Sequence, residues 1–527
     1  MTKKILFSTQ DSSVQIFYDL SKLLKDKNEI SESGFTLTNK QFYDKWVLKN
    51  PKFEKLNMFI LKEWELYEKS KNENFNINIL KEFEKRLGIN PGLFGGIVSD
   101  RRLFMGYKNT FSQDYRRRFS DQNLLKIMQK FLIEIDDLFN KFKPDLVVSF
   151  QCVTLIDYLL AIFAKEKKIR YLNLRPTKIN NRVMFASTVN DPPPEICKFY
   201  EELIASDGSE YDFEIIDSFV SNYRKELKFY EGVVLPSLNP TNKINFNISI
   251  LGKIKNFISN IFSFYRYKYF RDNQISSPVL RSIYIGLINP LRAKKINYFL
   301  KNKYIEREQL SELKYIFFPM HTEPEVSLLV HGKPFINQIE LIRMIAISMP
   351  IDTVLVIKEH PWMIGKRSLN YYKKILNIPR VKIARPDIVS RDLITNAKLI
   401  TVITSSISLE GVILKKPCIT FGDCMTNLLP SFMCRRCKDI KSLPVILDEM
   451  MSIKIEKNWD IYLKYMLFSI FSFSKEVNLY TSLLGRKDRF ANNKRSYDDE
   501  IQSLYECIIN SKKLIEKYNY NEKNTIW

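Results

Sequence analysis

Three polar turns hold most of the residues able to do chemistry. They are Pro319-Met320-His321-Thr322-Glu323-Pro324-Glu325, Lys358-Glu359-His360-Pro361, and Thr404-Ser405-Ser406-Ile407-Ser408-Leu409-Glu410-Gly411. The chain has only 3 histidines, His321, His331 and His360, and two of them lie in these turns. The Thr404, Ser405 and Ser406 hydroxyls precede a helical pattern, so they and the first free N–H groups of that helix converge on a phosphate-sized point. Lys358 and His360 supply positive charge beside it. Glu410 follows Ser406 by one helical turn, where it can accept hydrogen bonds from a ribose diol. His331, in Val330-His331-Gly332-Lys333, lacks a comparable setting and reads as structural.

The elements that must position these turns are legible from hydropathy. Between 312 and 421, strands at 315–318, 352–358, 380–384, 398–403 and 417–421 alternate with helical patterns near 335–349, 367–376, 388–397 and 406–414. Short strands alternating with helices predict a doubly wound parallel sheet, whose ligands bind at the carboxyl ends of the strands. All three turns follow such strand ends. Upstream, a strand at 3–8, a strand at 144–150, a helix near 153–166 and a strand at 169–174 predict a first Rossmann-like half. The expected organisation is α/β with two Rossmann-like domains. It comprises an N-terminal domain over 1–190 with a helical insertion at about 14–135, and a basic aromatic helical bridge over 191–311. A nucleotide-binding domain over 312–445 and C-terminal helices over 446–527 complete it.

Familiar alternatives are missing. No G-x-G-x-x-G, G-x-x-x-x-G-K-[ST] or H-E-x-x-H motif occurs, and no convincing metal-binding D-x-D. Dinucleotide redox chemistry, P-loop hydrolysis and zinc hydrolysis are disfavoured, no cofactor or metal is expected, and transfer from a nucleotide-activated donor remains. The Lys-x-His-Pro turn, the Ser-Ser turn running into Ser-Leu-Glu-Gly, and Lys416-Pro417-Cys418-Ile419 resemble the capsule polysaccharide biosynthesis family, which includes β-Kdo transferases. The same His-Pro and Ser-Ser pair occurs in bacterial sialyltransferases of the GT-B fold. The resemblance is good over about 310–425 and architectural elsewhere. It implies a GT-B-like fold and a metal-independent glycosyltransferase using a CMP-linked sugar, Kdo-like or sialic-acid-like, with a glycan or glycolipid acceptor. His360 and Pro361 would hold the donor phosphate, and Ser405 and Ser406 would complete that site. Teichoic-acid phosphotransferases that use CDP-alcohols carry similar turns. Ile403-Thr404 stands here in place of their Asp-Tyr, which favours a sugar donor. Transfer to a hydroxyl calls for a carboxylate. Glu323 is the first candidate, followed by Glu325, Asp11 after the first strand, and Asp100 in Ser99-Asp100-Arg101-Arg102, with His321 in the same cleft.

Composition sets the outer bounds. The 527 residues are 45% hydrophobic and carry 82 Lys plus Arg against 59 Asp plus Glu, a net charge of +23. Such a chain buries a large core and needs an anionic partner. Seven scattered cysteines suit a reduced, cytoplasmic protein, and Cys434-x-x-Cys437 lacks the second pair of a zinc site. The first residues form no signal peptide, and no long apolar run would span a membrane. Between Lys243 and Tyr304, twelve Lys or Arg face a single acid, Asp272, and aromatic residues interleave with them. This stretch suits an anionic inner-membrane surface, so a peripheral location is expected and nucleic acid is not. A nucleic-acid-binding protein remains the alternative of another class.

Overall fold

The computed structural model describes residues 3–56, 59–89, 92–104, 119–226, 283–486 and 495–518, with isolated positions between 255 and 262. Most of the basic stretch, including Lys253, Arg266 and Lys268, lies outside the described residues. The described strands are, in chain order, β1 (Lys4–Thr9), β2 (Glu32–Leu37), β3 (Phe59–Lys62), β4 (Leu146–Phe150), β5 (Arg170–Pro176), β6 (Arg182–Ala186) and β7 (Tyr304–Ile305). They continue with β8 (Tyr315–Pro319), β9 (Val354–Lys358), β10 (Val381–Ala384), β11 (Leu399–Val402), β12 (Cys418–Thr420), β13 (Cys434–Arg436) and β14 (Ser474–Glu476).

These strands form two seven-stranded sheets, β14-β6-β5-β4-β1-β2-β3 and β13-β12-β11-β8-β9-β10-β7. In each sheet the winding direction reverses once, between β1 and β4 in the first and between β8 and β11 in the second. Ile5 faces Leu146 and Ile316 faces Leu399 across those two reversals, both in parallel register. Two doubly wound sheets in one chain are the two Rossmann-like halves that the alternating pattern predicted, in the GT-B-like arrangement that the resemblance implied. The strands are apolar on both sides because helices cover both faces. Helices Asp121–Phe142 and Leu155–Glu166 cover one face of the first sheet, while Ser13–Asp26 and Tyr497–Lys517 cover the other. Helices Gln338–Ser348, Leu369–Leu376 and Leu443–Met451 cover one face of the second.

Two expectations need correction. Residues 14–135 are not a purely helical insertion, because β2 and β3 lie within them and extend the first sheet in parallel. Their sequences hid this: β2 buries Ser33 and Thr36, and its Gly34 lets Phe142 pack close, an ideal Cβ there falling 3.1 Å from the ring. The tail from 455 is not purely helical either. β14 pairs antiparallel with β6, and the following helix Tyr497–Lys517 packs on the first sheet, so the chain returns to the domain where it began.

Candidate functional site

The reversal between β8 and β11 is where a doubly wound sheet offers its crevice. The turn after β8 is laid against β9 by a hydrogen bond from the Met320 amide to the Lys358 carbonyl (2.9 Å). His321 follows and is buried. Its amide donates to Gln338 Oε1 (2.7 Å), and its carbonyl accepts from Gln338 Nε2 (3.2 Å) and Arg367 Nη2 (2.7 Å). Its Nε2 accepts the Thr404 amide (3.3 Å), which ties the turn after β8 to the turn after β11. Burial, joined by the positive charges of Lys178, His360 and Arg367, lowers its pKa to about 3. His321 is therefore neutral at physiological pH, with Nε2 engaged by a backbone amide. It braces the turn; it does not hold a free basic nitrogen toward a substrate.

Behind this brace sits Arg367, fully buried. Its guanidinium donates to Glu359 Oε2 and, at 3.2 Å, to Glu323 Oε1. Glu359 in turn accepts the His360 amide (2.7 Å) and the Tyr372 hydroxyl (3.0 Å). One buried cation thus joins both histidine-bearing turns. Burial pushes the Glu359 carboxyl above its ordinary value, and Arg367 opposes that push. His360 Nδ1 accepts the Trp362 amide (3.2 Å), so the neutral ring carries its proton on Nε2, the form that donates to an anionic oxygen.

The serine turn is assembled with the same economy. Thr404 is buried, and its hydroxyl donates to the Ser327 carbonyl (2.9 Å). Ser405 Oγ accepts the Ile407 amide (3.2 Å). Ser406 stands at the N-cap of helix Ile407–Ile413 and makes no side-chain cap bond. That helix has only 7 residues, so the polarity of the turn rests on its hydroxyls more than on a long dipole. Lys178, from the turn joining β5 to β6, reaches across and donates Nζ to the Thr404 carbonyl (3.4 Å). The first domain therefore supplies the cation at this turn.

Lys358 was expected beside this turn, and its ammonium is engaged by the protein. Its ammonium is held by the Ile388 carbonyl (2.5 Å) and Ser390 Oγ (3.2 Å), and burial lowers its pKa to about 8 against the pull of Glu410. Glu410, half-buried, is raised to about 7 by burial, although a hydrogen bond from Tyr223 and the charges of Lys358 and Arg391 oppose the rise. Lys358 and Glu410 form an ionic pair of environments next to the turn instead of two separate ligand contacts.

The candidate carboxylates part company. Glu323 is held at the end of β8 by Gln338 and Arg367. Glu325 is exposed, next to helix Val326–Leu329, and accepts the Thr322 hydroxyl (2.6 Å). Asp11 is exposed and bonded by Asn39. Asp100 is fully buried in an ion cluster with Arg102 (2.5 Å) and Glu63, and it accepts the Leu155 amide (3.0 Å). Its oxygens hold helices of the first domain together. Among the described residues no group of three or more His, Cys, Asp and Glu side chains is arranged to hold a metal ion. Reading the sequence missed Arg367, Gln338, Tyr223 and Lys178. Only Lys178 carried a signal, because it follows a strand end as the recognised turns do.

Residues 249–428 match the family model described as capsule polysaccharide biosynthesis protein. Over that segment the chain is similar to the capsule polysaccharide biosynthesis family. All three polar turns, with Arg367 and Gln338, fall inside it, whereas Lys178 and Tyr223 are supplied from outside the family segment. Protein FixF of Sinorhizobium fredii is 31% identical over 121 residues, which span 22% of this chain and 28% of that relative. Among solved structures, KpsC of Thermosulfurimonas dismutans, titled a beta Kdo 2,7 transferase, aligns with 71% of this chain and 89% of its own at 12% identity and a TM-score of 0.31. A UDP-GlcNAc 2-epimerase of Methanocaldococcus jannaschii aligns with 90% and 100% at 15% identity and a TM-score of 0.24. Likenesses of this degree say nothing about substrate.

Proposed function

We propose that the chain is a glycosyltransferase that moves a sugar from a CMP-linked donor to a surface glycan or its lipid-linked precursor, without a metal ion. The observation that carries this reading is the joining of the His360 and Ser405 turns at one crevice through His321 and Arg367, in a segment similar to the capsule polysaccharide biosynthesis family. His360 Nε2–H and the Ser405 and Ser406 hydroxyls face the phosphate, and they stabilise the charge that grows on it as the glycosidic bond breaks. Lys178 adds positive charge from the opposite domain. Glu410 accepts from the ribose diol. Glu323, fixed by Gln338 and Arg367, is the carboxylate assigned to the acceptor hydroxyl or the oxocarbenium-like centre. The acceptor is met at an anionic membrane surface.

Calorimetry with CMP tests the reading. His360→Ala and Ser405→Ala should each weaken CMP binding by roughly 1.5–3 kcal/mol, the range for hydrogen bonds to charged groups. Glu323→Gln should keep CMP affinity and lower kcat at least ~100-fold. Unchanged CMP affinity in both donor-site variants overturns the phosphate assignment. A kcat within about tenfold of wild type in Glu323→Gln moves the carboxylate role to Glu325.

A further inference from the structure

A continuous helical stretch, Tyr284–Ile288 running into Asn289–Leu300, precedes β7. Ile296 and Leu300 of this stretch are buried in the core with Tyr371 and Tyr372. The opposite side is apolar and open. Ile283, Leu287, Leu291 and Tyr298 are 40%, 57%, 57% and 86% exposed, at spacings that place them along one stripe of a helix. Lys294 falls within the same stripe, and Lys295 borders it; both are exposed. From 283 to 305 the chain has five Lys or Arg and no Asp or Glu. A single exposed leucine is ordinary, but an aligned apolar stripe edged by lysines is not.

The stretch also touches the donor-site turn. Gly365, at φ +86°, lies where an ideal Cβ would fall 2.4 Å from the Asn289 carbonyl oxygen and 3.0 Å from Ala293 Cβ. The turn that begins at His360-Pro361 is therefore seated directly on this helix.

We propose that the Ile283–Tyr298 stripe is a docking surface for an anionic lipid bilayer, lying in the headgroup plane. Among the described residues no helix is long and apolar enough to cross a membrane, so this one lies on the surface. The stripe buries its leucines below the headgroups, while Lys294 and Lys295 meet the anionic charge. An RNA partner would favour a basic groove with stacking aromatics over a leucine stripe. The proposal deepens the reading above by naming the surface at which a lipid-linked acceptor is met. The Gly365 contact then brings the donor turn to that same surface.

Flotation with phosphatidylglycerol-containing vesicles, against phosphatidylcholine vesicles alone, is the test. The wild-type chain should bind the anionic vesicles and bind less at high salt. The charge-neutral triple variant Leu287→Ser, Leu291→Ser, Tyr298→Ser should lose at least roughly tenfold in partitioning, because apolar insertion is removed. Lys294→Gln with Lys295→Gln should lose most of the salt dependence. CMP affinity should be unchanged in both variants, which also confirms that they fold. Equal vesicle binding by wild type and triple variant overturns the proposal. A wild-type chain that self-associates through the stripe, or binds RNA through it in place of vesicles, overturns it as well. If CMP fails to bind while the stripe still governs vesicle binding, the docking surface stands and the donor reading falls.

Discussion

Glu410 and Lys358 share one buried environment, with a carboxyl raised to about 7 and an ammonium lowered to about 8. Burial is the first cause of both shifts, and each group's charge eases the other's. An ionised Glu410 accepts from a ribose diol more strongly than a protonated one. Below about pH 7 the carboxyl is protonated, and above about pH 8 the ammonium is neutral. CMP affinity should therefore rise through about pH 7 and decline above about pH 8. Glu410→Gln should flatten the acid limb and leave the alkaline one. Titration calorimetry across that window checks it, and an acid limb that persists in the variant removes Glu410 from the donor site. The stability sign follows from the same shift. Between the ordinary carboxylate value and about 7 the folded chain holds a proton that the unfolded chain has released. Stability therefore falls as pH rises through that interval.

At the scale of elements, the donor turn depends on backbones brought unusually close. Gly422 follows β12, and an ideal Cβ there would lie 2.5 Å from Thr404 Cγ2 and 2.6 Å from the His331 carbonyl oxygen. Gly422→Ala must push the Thr404 turn or the His331 loop aside, at about 1–3 kcal/mol of overpacking. CMP affinity should fall although residue 422 touches no ligand, and unchanged calorimetry would mean the turn yields without consequence. This contact also shows what a sequence conveys and what it withholds. The strands from β8 to β12 were readable because each is an apolar run bounded by turn residues, and the strand-end rule then located the His321, His360 and Ser405 turns. β2 escaped because Ser33 and Thr36 are buried inside a sheet, where hydroxyls satisfied by neighbours look exposed in a one-dimensional pattern. Thr36 Oγ1, for instance, donates to Ser8 Oγ across the strands (3.0 Å). Arg367 escaped for a different reason. Its partners at 321, 323 and 359 are brought to it only by folding, and nothing around position 367 announces them. The Lys358 partners escaped as well, because adjacency to His360 in the chain does not fix where a long side chain ends.

Across the whole molecule, the two sheets are not independently supported. One apolar core contains Met184 and Ala186 from the first sheet and Ile179 from the turn before β6, together with Tyr315, Phe317, Ile400 and Val402 from the second. Helix Trp459–Ser472 runs through it, contributing Trp459, Leu463, Met466, Leu467 and Ile470. The chain then passes into β14, which pairs with β6, so a segment that follows the second sheet completes the first. Trp459 is fully buried, and its indole N–H donates to the Val412 carbonyl (2.8 Å). Truncating it leaves a cavity at the shared core and removes one of two hydrogen bonds to that carbonyl, which also accepts the Lys415 amide (3.2 Å). Because that core belongs to both domains, neither can melt without exposing the other's apolar surface, and the described halves should unfold as one cooperative unit. Trp459→Ala should lower stability by about 3–5 kcal/mol and move a single calorimetric transition to lower temperature. CMP protection of that transition should persist, since Trp459 bonds at Val412, near the end of helix Ile407–Ile413 opposite to the Ser405 turn. Two separate transitions in the wild-type chain, or a variant in which only one of two transitions moves, would show that the core is divided and that the crevice between the domains is held by surface contacts such as Lys178 to Thr404 alone.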